Sequence, residues 1–488
     1  MVDSLTLGWV VNEENNPKYW LQENPTLGGQ SETDLVRIPA DKLATHSIII
    51  AQSGSGKSFF LGRLIEEILL NTKSRCLVLD PNGDFTRANE VNSDIWKSPK
   101  YDSKKESGLL SNEKNAEEFI QNWDNITKTI RTTRPKQGIS EVQLKFWWPS
   151  LSIEIISHDL DALQRSKLYH CHECVKSFAK LAEMEANVTK TPIDLIKISE
   201  DLINSFIRKG NILFADILNK TFPEIQKEKT WLVPNGPFIV EVDIPGEDIK
   251  KKVHDLIAKS KSSVMYVDRE IAEYYFAKAK EYQSEKIIAD TPMRYAKQKD
   301  LPRLDVINLP SINTAEARLL VISSIVREEW ERARLLWMRQ MRNPGAPDKR
   351  VPTFIIIEEA HNIIPSDAQS AASEALREQF RTIAAEGRKY GIFLIIVSQR
   401  PDKLDPKVIS ECSNIALMRL NSQNVVDEVR ETLGLPKKLD FSQVSNFKKG
   451  RILLYGNWSP APLIAYSGAR RTVQGGSDLD SAYWATRK

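Results

Sequence analysis

Residues 51–58, A-Q-S-G-S-G-K-S, set two glycines, a lysine and a serine at a spacing that suits a polyphosphate. Gly54 and Gly56 lack a Cβ, so the backbone can curl with its N–H groups turned inward. A helix starting there adds unpaired N–H groups and the positive end of its dipole. Lys57 brings an ammonium to the β- and γ-phosphates, and Ser58 offers a hydroxyl to Mg²⁺. Ala51 stands where the strict pattern has glycine, at a strand end away from the lysine, where a methyl is tolerated. The candidate nucleotide-binding set is therefore Ser53, Gly54, Ser55, Gly56, Lys57, Ser58 and Phe59, with ATP and Mg²⁺ as the implied ligands.

A second constellation lies some three hundred residues on, in T-F-I-I-I-E-E-A-H, residues 353–361. Two carboxylates follow an apolar strand. Glu358 can hold a water on Mg²⁺ and joins Ser58 as a metal-side candidate, although the usual residue there is the shorter aspartate. Glu359 can orient the water that attacks the γ-phosphate. Gln399, after the run I-F-L-I-I-V, can sense that phosphate. Arg381, Arg388 and Arg400 are candidates for stabilising its charge. Each has a plainer reading: a solvated strand end for the glutamates, a surface ion pair for any one arginine.

These groups need strands to carry them to one edge. Ser47–Ile50 reads as a buried strand and Phe59–Leu70 as a helix, with Leu61, Leu64, Ile65, Ile68 and Leu69 at helical spacing. Cys76–Leu79 reads as a parallel strand ending at Asp80, the end where open α/β sheets place ligand-facing groups. The alternative for Asp80 is an Asx-type turn; beside a phosphate loop, the site-facing reading is preferred. Further strands are expected at Leu5–Val11, Leu35–Ile38, Leu304–Leu309, Phe354–Ile357, Ile392–Val397, Asn414–Leu420, Gly450–Tyr455 and Pro462–Tyr466. The run L-S-I-E-I-I-S after Trp148 is expected as one more. Helices are expected at Ala315–Met341, Ala371–Tyr390 and Asn421–Leu433. Asn12–Gln30 reads as loop.

The resulting division is a short leader at 1–45, an α/β core at 46–158 and 300–467, a mainly helical insertion at 159–299 and a polar tail at 468–488. Phe238–Val242 is expected as a strand within the insertion. The insertion holds H-C-H-E-C, His170–Cys174. Its cysteine spacing is metal-like, but neighbours on a helix do not share a face and no second ligand cluster is visible, so a non-metal role is favoured. Lys128, Arg131, Arg134 and Lys136 form a local basic cluster. A solvated helix face or loop is the ordinary meaning; contact with a nucleic-acid backbone is the sharper one.

Across 488 residues, 68 basic and 65 acidic side chains leave a formal charge of +3, so any basic surface is local. Four cysteines in so long a chain are no disulfide framework, and a reducing cytoplasm is the default. The first residues lack the regions of a signal peptide, and no apolar run approaches the roughly 20 residues that span a bilayer. A cytoplasmic protein without a membrane segment is expected.

Taken in order, A-Q-S-G-S-G-K-S, L-D-P-N-G-D-F, I-I-I-E-E-A-H, E-G-R-K-Y-G and V-S-Q-R-P resemble the HerA branch of the HerA/FtsK ATPases, over about residues 47–90 and 300–467. The resemblance implies a RecA-like P-loop NTPase core with a mostly parallel sheet, a homo-hexameric ring with ATP at the subunit contacts, and movement along duplex DNA through the channel. By the same resemblance, Lys57 and Ser58 bind phosphates and Mg²⁺, Asp80 lies near the catalytic centre, Glu359 activates water and Gln399 is the sensor. Arg388 is the first choice for a finger reaching the next subunit's ATP, and Arg381 the second. Family members usually carry an N-terminal β-barrel associated with docking a nuclease; about 45 residues precede the loop here, so that barrel is expected to be missing or reduced. HerA-like ATPases also occur with effector enzymes in anti-phage defence. Three functions follow: a DNA translocase or helicase serving a nuclease or other effector, an ATP-stabilised scaffold organising an effector enzyme, and, more remotely, a conjugation or secretion ATPase.

Overall fold

The apolar runs become the centre of one sheet because each is buried on both faces. The structure, a computed structural model, describes residues 4–10, 35–93, 95, 116–136, 141–189, 191, 193–209, 214–224, 230–235, 238–243, 267–289, 301–436 and 441–476. The strands, in chain order, are β1 Ser4–Val10, β2 Leu35–Pro39, β3 His46–Ile50, β4 Arg75–Asp80, β5 Lys128–Thr132, β6 Glu141–Gln143, β7 Thr230–Asn235 and β8 Phe238–Asp243. They continue as β9 Leu304–Asn308, β10 Thr353–Ile357, β11 Ile392–Ser398, β12 Cys412–Leu417, β13 Arg451–Gly456 and β14 Ser459–Ser467. Among the described residues, twelve of them form one sheet in the order β2-β1-β14-β13-β12-β3-β11-β10-β4-β9-β5-β6, and β7 and β8 form a separate hairpin. From β12 to β6 every neighbouring pair is parallel. The pairs from β12 back to β2 are antiparallel. The fold is α/β with a mostly parallel mixed sheet.

The register aligns the strand ends. Ile50 stands opposite Ser398 on one side and Leu417 on the other, and Ile357 stands opposite Ile396 and Leu79. Ala51, Asp80, Glu358, Gln399 and Met418, each just past or at its strand end, therefore lie along one edge.

Alternation splits the strands between two cores. Ile48, Ile50, Leu77, Leu79, Ile355 and Ile357 face one; Ile49, Cys76, Val78, Ile356 and Ile395 face the other. The second is covered by α1 (Lys57–Asn71), whose Leu61, Leu64, Ile65, Ile68 and Leu69 are all buried. A short helix, α2 (Ala116–Asp124), adds Phe119 and Trp123 to it. The first core takes α3 (Ala162–Thr189), α4 (Leu195–Lys209), α5 (Phe214–Thr221), α6 (Arg269–Ser284), α7 (Ala315–Arg342) and α8 (Ala371–Tyr390). The helices between 159 and 299 thus share a core with the sheet. A last helix, α9 (Gln423–Thr432), follows β12.

Four departures from expectation have physical causes. L-S-I-E-I-I-S is not a strand: Ile153–Ile156 form one helical turn entered from Ser152, whose N–H donates to Ser324 Oγ on α7. An apolar run this short fits either periodicity, and burial of Ile153, Ile155 and Ile156 decides it. The basic cluster divides: Lys128 and Arg131 lie on β5, where Lys128 bonds the carbonyl of Ile126 and Arg131 forks onto Asp305, while Arg134 and Lys136 are exposed in the loop that follows, as expected. β1 and β2 extend the main sheet through β14, so this part of the leader is sheet edge. The expected loop at 12–30 lies outside the described residues. Cys171 and Cys174 face the core of α3, their thiols pushed upward in pKa by burial, and His172 Nδ1 meets the Tyr275 hydroxyl at 2.7 Å. Among the described residues no group of three or more His, Cys, Asp or Glu could hold a metal ion.

The fourth departure is the tail. Residues 468–476 fold back along α1, while 477–488 lie outside the described residues. Glu66 accepts the backbone N–H of Arg471 at 2.9 Å and of Thr472 at 2.7 Å, and its other oxygen takes Arg471 Nε at 3.0 Å. Arg471 also reaches Glu67 at 2.7 Å, and Glu67 accepts the Thr6 N–H at 2.8 Å. Gly62 permits the close approach: a Cβ there would stand 2.4 Å from Arg470 Cδ. One buried network so ties β1, α1 and the returning strap. Arg471→Ala leaves buried Glu66 without its cation, while Glu67 keeps Arg63 at 3.0 Å, and lowers the unfolding free energy by about 3–5 kcal/mol. Denaturant titration measures this, and a loss under about 1 kcal/mol, the size of an exposed pair, contradicts it.

Candidate functional site

The turn after β3 curls because two glycines adopt left-handed backbone, Gly54 at φ +73° and Gly56 at φ +99°. Gly56 caps α1, and a Cβ on it would stand 3.3 Å from the amide nitrogen of Gly450. Neighbours hold the curl: Ala51 N–H donates to Ser398 O, Gln52 N–H to Arg419 O and Gly450 N–H to Ser55 O. Ala51 is wholly buried, so its methyl packs where glycine would leave a gap. No acidic residue lies in the first turn of α1, which leaves its positive end for an outside anion. Ser53 lines the cleft in front of the turn; Phe59 is 42% exposed beside it.

The distant glutamates meet this turn. Lys57, only 8% exposed, bonds Glu359 Oε1 directly and lies 3.7 Å from Glu358 Oε1. Gln399 Nε2 donates to the same Glu359 oxygen at 2.6 Å. Glu359 itself sits at φ 47°, ψ 47°, a left-handed conformation that strains a residue with a Cβ. His361 Nδ1 lies 3.1 Å from Ser398 Oγ and 3.5 Å from Glu359 Oε2. Glu359, His361, Gln399, Arg400 and Ser53 border a cleft of about 670 Å³.

Asp80 does not turn a free oxygen to the cleft. Its Oδ1 accepts the N–H groups of Asn82, Gly83 and Asp84, and its Oδ2 that of Phe85. It builds the turn that presents Asp84, which sequence reasoning passed over. Asp84 Oδ2 accepts the Ser58 hydroxyl at 2.6 Å; Glu358 Oε1 lies 3.5 Å from the same hydroxyl. The D-P-N-G-D spacing carried the signal: an aspartate folding a turn hands the next acidic position to the loop.

Of the three candidate arginines, Arg400 borders the cleft and the other two lie elsewhere. Arg381 is held by Asp405 and Glu378 on its own chain. Arg388 is exposed in the last turn of α8 and acts electrostatically on His46, at the start of β3, the end of the sheet away from the phosphate turn. Neither reaches the Lys57 cleft of its own chain.

Charge dominates the site. Glu358 is fully buried, and burial, followed by the charges of Asp80, Asp84 and Glu359, outweighs Lys57 and pushes its carboxyl up to about 8. Burial raises Asp80 as well, against its backbone N–H bonds. Glu358 Oε2 and Glu359 Oε2 are buried without a hydrogen-bond partner. Hard oxygen donors, orphaned oxygens and surplus negative charge fit Mg²⁺. Such an ion takes only one or two protein groups beside phosphates and waters, here Ser58 and Glu358.

A parallel sheet whose phosphate turn, acidic strand end and polar strand end converge defines a P-loop NTPase of the ATPase class. Residues 26–329, more than half of the chain, match the family described as helicase HerA, central domain, and residues 311–420 match the ATPase family associated with various cellular activities. The chain belongs to the HerA helicase family. It is 26% identical over 306 residues to the DNA double-strand break repair helicase HerA of Sulfolobus acidocaldarius, covering 61% of this chain and 53% of that protein. It is 32% identical over 132 residues to the probable DNA double-strand break repair helicase HerA of Methanocaldococcus jannaschii, covering 26% of this chain and 25% of that one. The chain thus spans between a quarter and about half of these curated relatives. Among solved structures, the plasmid coupling protein TrwB with a non-hydrolysable GTP analogue aligns at a TM-score of 0.42 and 10% identity, over 98% of this chain and 97% of that one. Among the described residues no helix is long and apolar enough to cross a membrane.

The buried glutamate makes nucleotide-free stability depend on pH. An unfolded glutamate releases its proton near 4.5, the folded Glu358 near 8. Between those values the folded state binds more protons, so stability is full at the acid end and falls as pH rises. Glu358→Gln flattens that slope and raises the melting temperature at pH 8 without nucleotide. A melting temperature at or below wild type there contradicts the assignment.

Proposed function

We propose that this chain hydrolyses ATP with Mg²⁺ and couples hydrolysis to movement of duplex DNA, as a homo-hexameric cytoplasmic ring working with a nuclease or another effector enzyme. The observation that carries the reading is the buried meeting of Lys57, Glu359 and Gln399 beside Ser58, across three hundred residues of chain. Bound Mg²⁺-ATP supplies an anhydride whose γ-phosphoryl charge the site must stabilise.

Lys57 exchanges its contact with Glu359 for the phosphates. That frees the Glu359 Oε1 atom to accept a proton from water, while Gln399 Nε2 keeps the carboxylate aimed. Ser58 keeps donating to Asp84 Oδ2 and presents its lone pairs to the metal. Asp80 stays buried behind them and holds the turn that carries Asp84, and Glu358 would hold a water on the metal beside Ser58. Arg388, unable to serve its own cleft, is the candidate finger for the neighbouring subunit; Arg381, held by Asp405, is the weaker one. The DNA substrate rests on the relatives named for DNA break repair, and a role beside a defence effector on the resemblance of the motifs.

Lys57→Ala should lower ATP affinity roughly 10- to 100-fold through lost charge-assisted bonds. Glu359→Gln should keep binding and lose roughly a hundred- to ten-thousandfold in turnover. ATPase assays with and without duplex DNA at low salt test the coupling: turnover should rise with DNA and the rise should fade with salt. No DNA binding and no stimulation would remove the translocase. A Glu359→Gln ring that still supported all DNA processing would favour the scaffold instead. Arg388→Ala subunits mixed with Lys57→Ala subunits should regain activity; no regain at any ratio removes the trans finger.

A further inference from the structure

We propose that Arg419 is a second phosphate-binding cation of the nucleotide site, approaching the phosphate turn from the side of β3 opposite Lys57's glutamates; this rests on the nucleotide reading above. Arg419 lies two residues past the end of β12, the strand parallel to β3 on the flank away from β11. Its backbone is tied to the turn, since its carbonyl accepts the Gln52 N–H at 3.2 Å. Its side chain lies over the turn's first glycine: Nη2 stands 3.6 Å from where a Cβ on Gly54 would be.

The guanidinium is otherwise unengaged. Nε is buried without a hydrogen-bond partner, and among the described residues no carboxylate pairs with Arg419. Four other arginines, Arg332, Arg377, Arg430 and Arg470, also keep a buried N–H without a hydrogen-bond partner, but each is engaged elsewhere: Arg332 on Glu328, Arg377 on Glu374, Arg430 at 4.0 Å from Asp427 and Arg470 on the carbonyl of Val473. A buried, unmade N–H costs stability, and on an arginine with no carboxylate partner beside a phosphate turn an anion would satisfy it. The planar fork suits a phosphate better than an ammonium does. Lys57 is drawn toward β10 by Glu358 and Glu359, so the two cations flank the turn from different strands and bracket a polyphosphate between them.

The test measures affinities of Arg419→Ala and Arg419→Lys for Mg²⁺-ATP, Mg²⁺-ADP and inorganic tripolyphosphate by calorimetry, beside unfolding midpoints without ligand. Tripolyphosphate has no base or ribose, so it isolates phosphate contact. Arg419→Ala should weaken all three by about tenfold or more. Arg419→Lys should recover part of this, and both variants should unfold near the wild-type midpoint, because no protein partner is lost. Unchanged tripolyphosphate affinity in Arg419→Ala overturns the proposal, whatever happens to ATP, since contact would then be with base or sugar. Should Lys57→Ala bind ATP as wild type does, the nucleotide reading itself fails, a result separate from any on Arg419.

Discussion

The structure depends on confining several carboxylates near one lysine at the edge of a parallel sheet. Asp80, Asp84, Glu358 and Glu359 lie around Lys57 and Ser58 in a largely buried space. In isolation this is unfavourable: charge removed from water must be paired, and among the described residues Lys57 is the lysine or arginine in direct contact with them. The chain answers in three ways. Lys57 takes Glu359, backbone N–H groups take Asp80, and Glu358 holds on to its proton. What is left over, two orphaned oxygens and a surplus of negative charge, is what a divalent cation would resolve.

Much of this was legible in the sequence, for identifiable reasons. The central strands announce themselves because parallel strands buried on both faces read as unbroken apolar runs, and the phosphate turn because only glycine fits its left-handed positions. Lys57, Glu359 and Gln399 could be brought together on paper because each follows such a run. Asp80 and Asp84 show the limit. Both follow a strand, and which one turns inward depends on four backbone N–H bonds that no spacing rule counts. The Ile153–Ile156 turn and the returning strap were hidden similarly: their conformations are set by partners on α7 and α1, far away in sequence.

The strap and the insertion join one argument about rigidity. Gln474 Nε2 donates to Asp84 Oδ1 at 3.0 Å, while the Gly475 N–H reaches the Asp84 carbonyl at 2.9 Å. The residue that accepts the Ser58 hydroxyl is therefore clamped by the far end of the described chain. On the opposite face, α8 packs on β11 and shares one buried core with the helical insertion, so the glutamates rest on a packed floor. Packed interiors switch between discrete arrangements and resist gradual deformation. A site held this way can respond to a ligand only by exchanging partners.

Glu359 is where such an exchange would register. Its backbone is held in a strained left-handed conformation, its Oε1 is shared by Lys57 and Gln399, and its Oε2 is unsatisfied beside His361. Drawing Lys57 away toward an anion leaves Gln399 as the remaining direct partner of that oxygen. Gln399 begins the segment leading through Arg400 to Asp405, and Asp405 holds Arg381 on α8, the helix that ends in Arg388. The contact of Lys57, Glu359 and Gln399 is thus connected, through one strand end and one buried aspartate, to α8, whose last turn holds Arg388. Asp405 is fully buried and fixed by the N–H groups of Lys407 and Val408, so it ties α8 firmly to the strand end that carries Gln399.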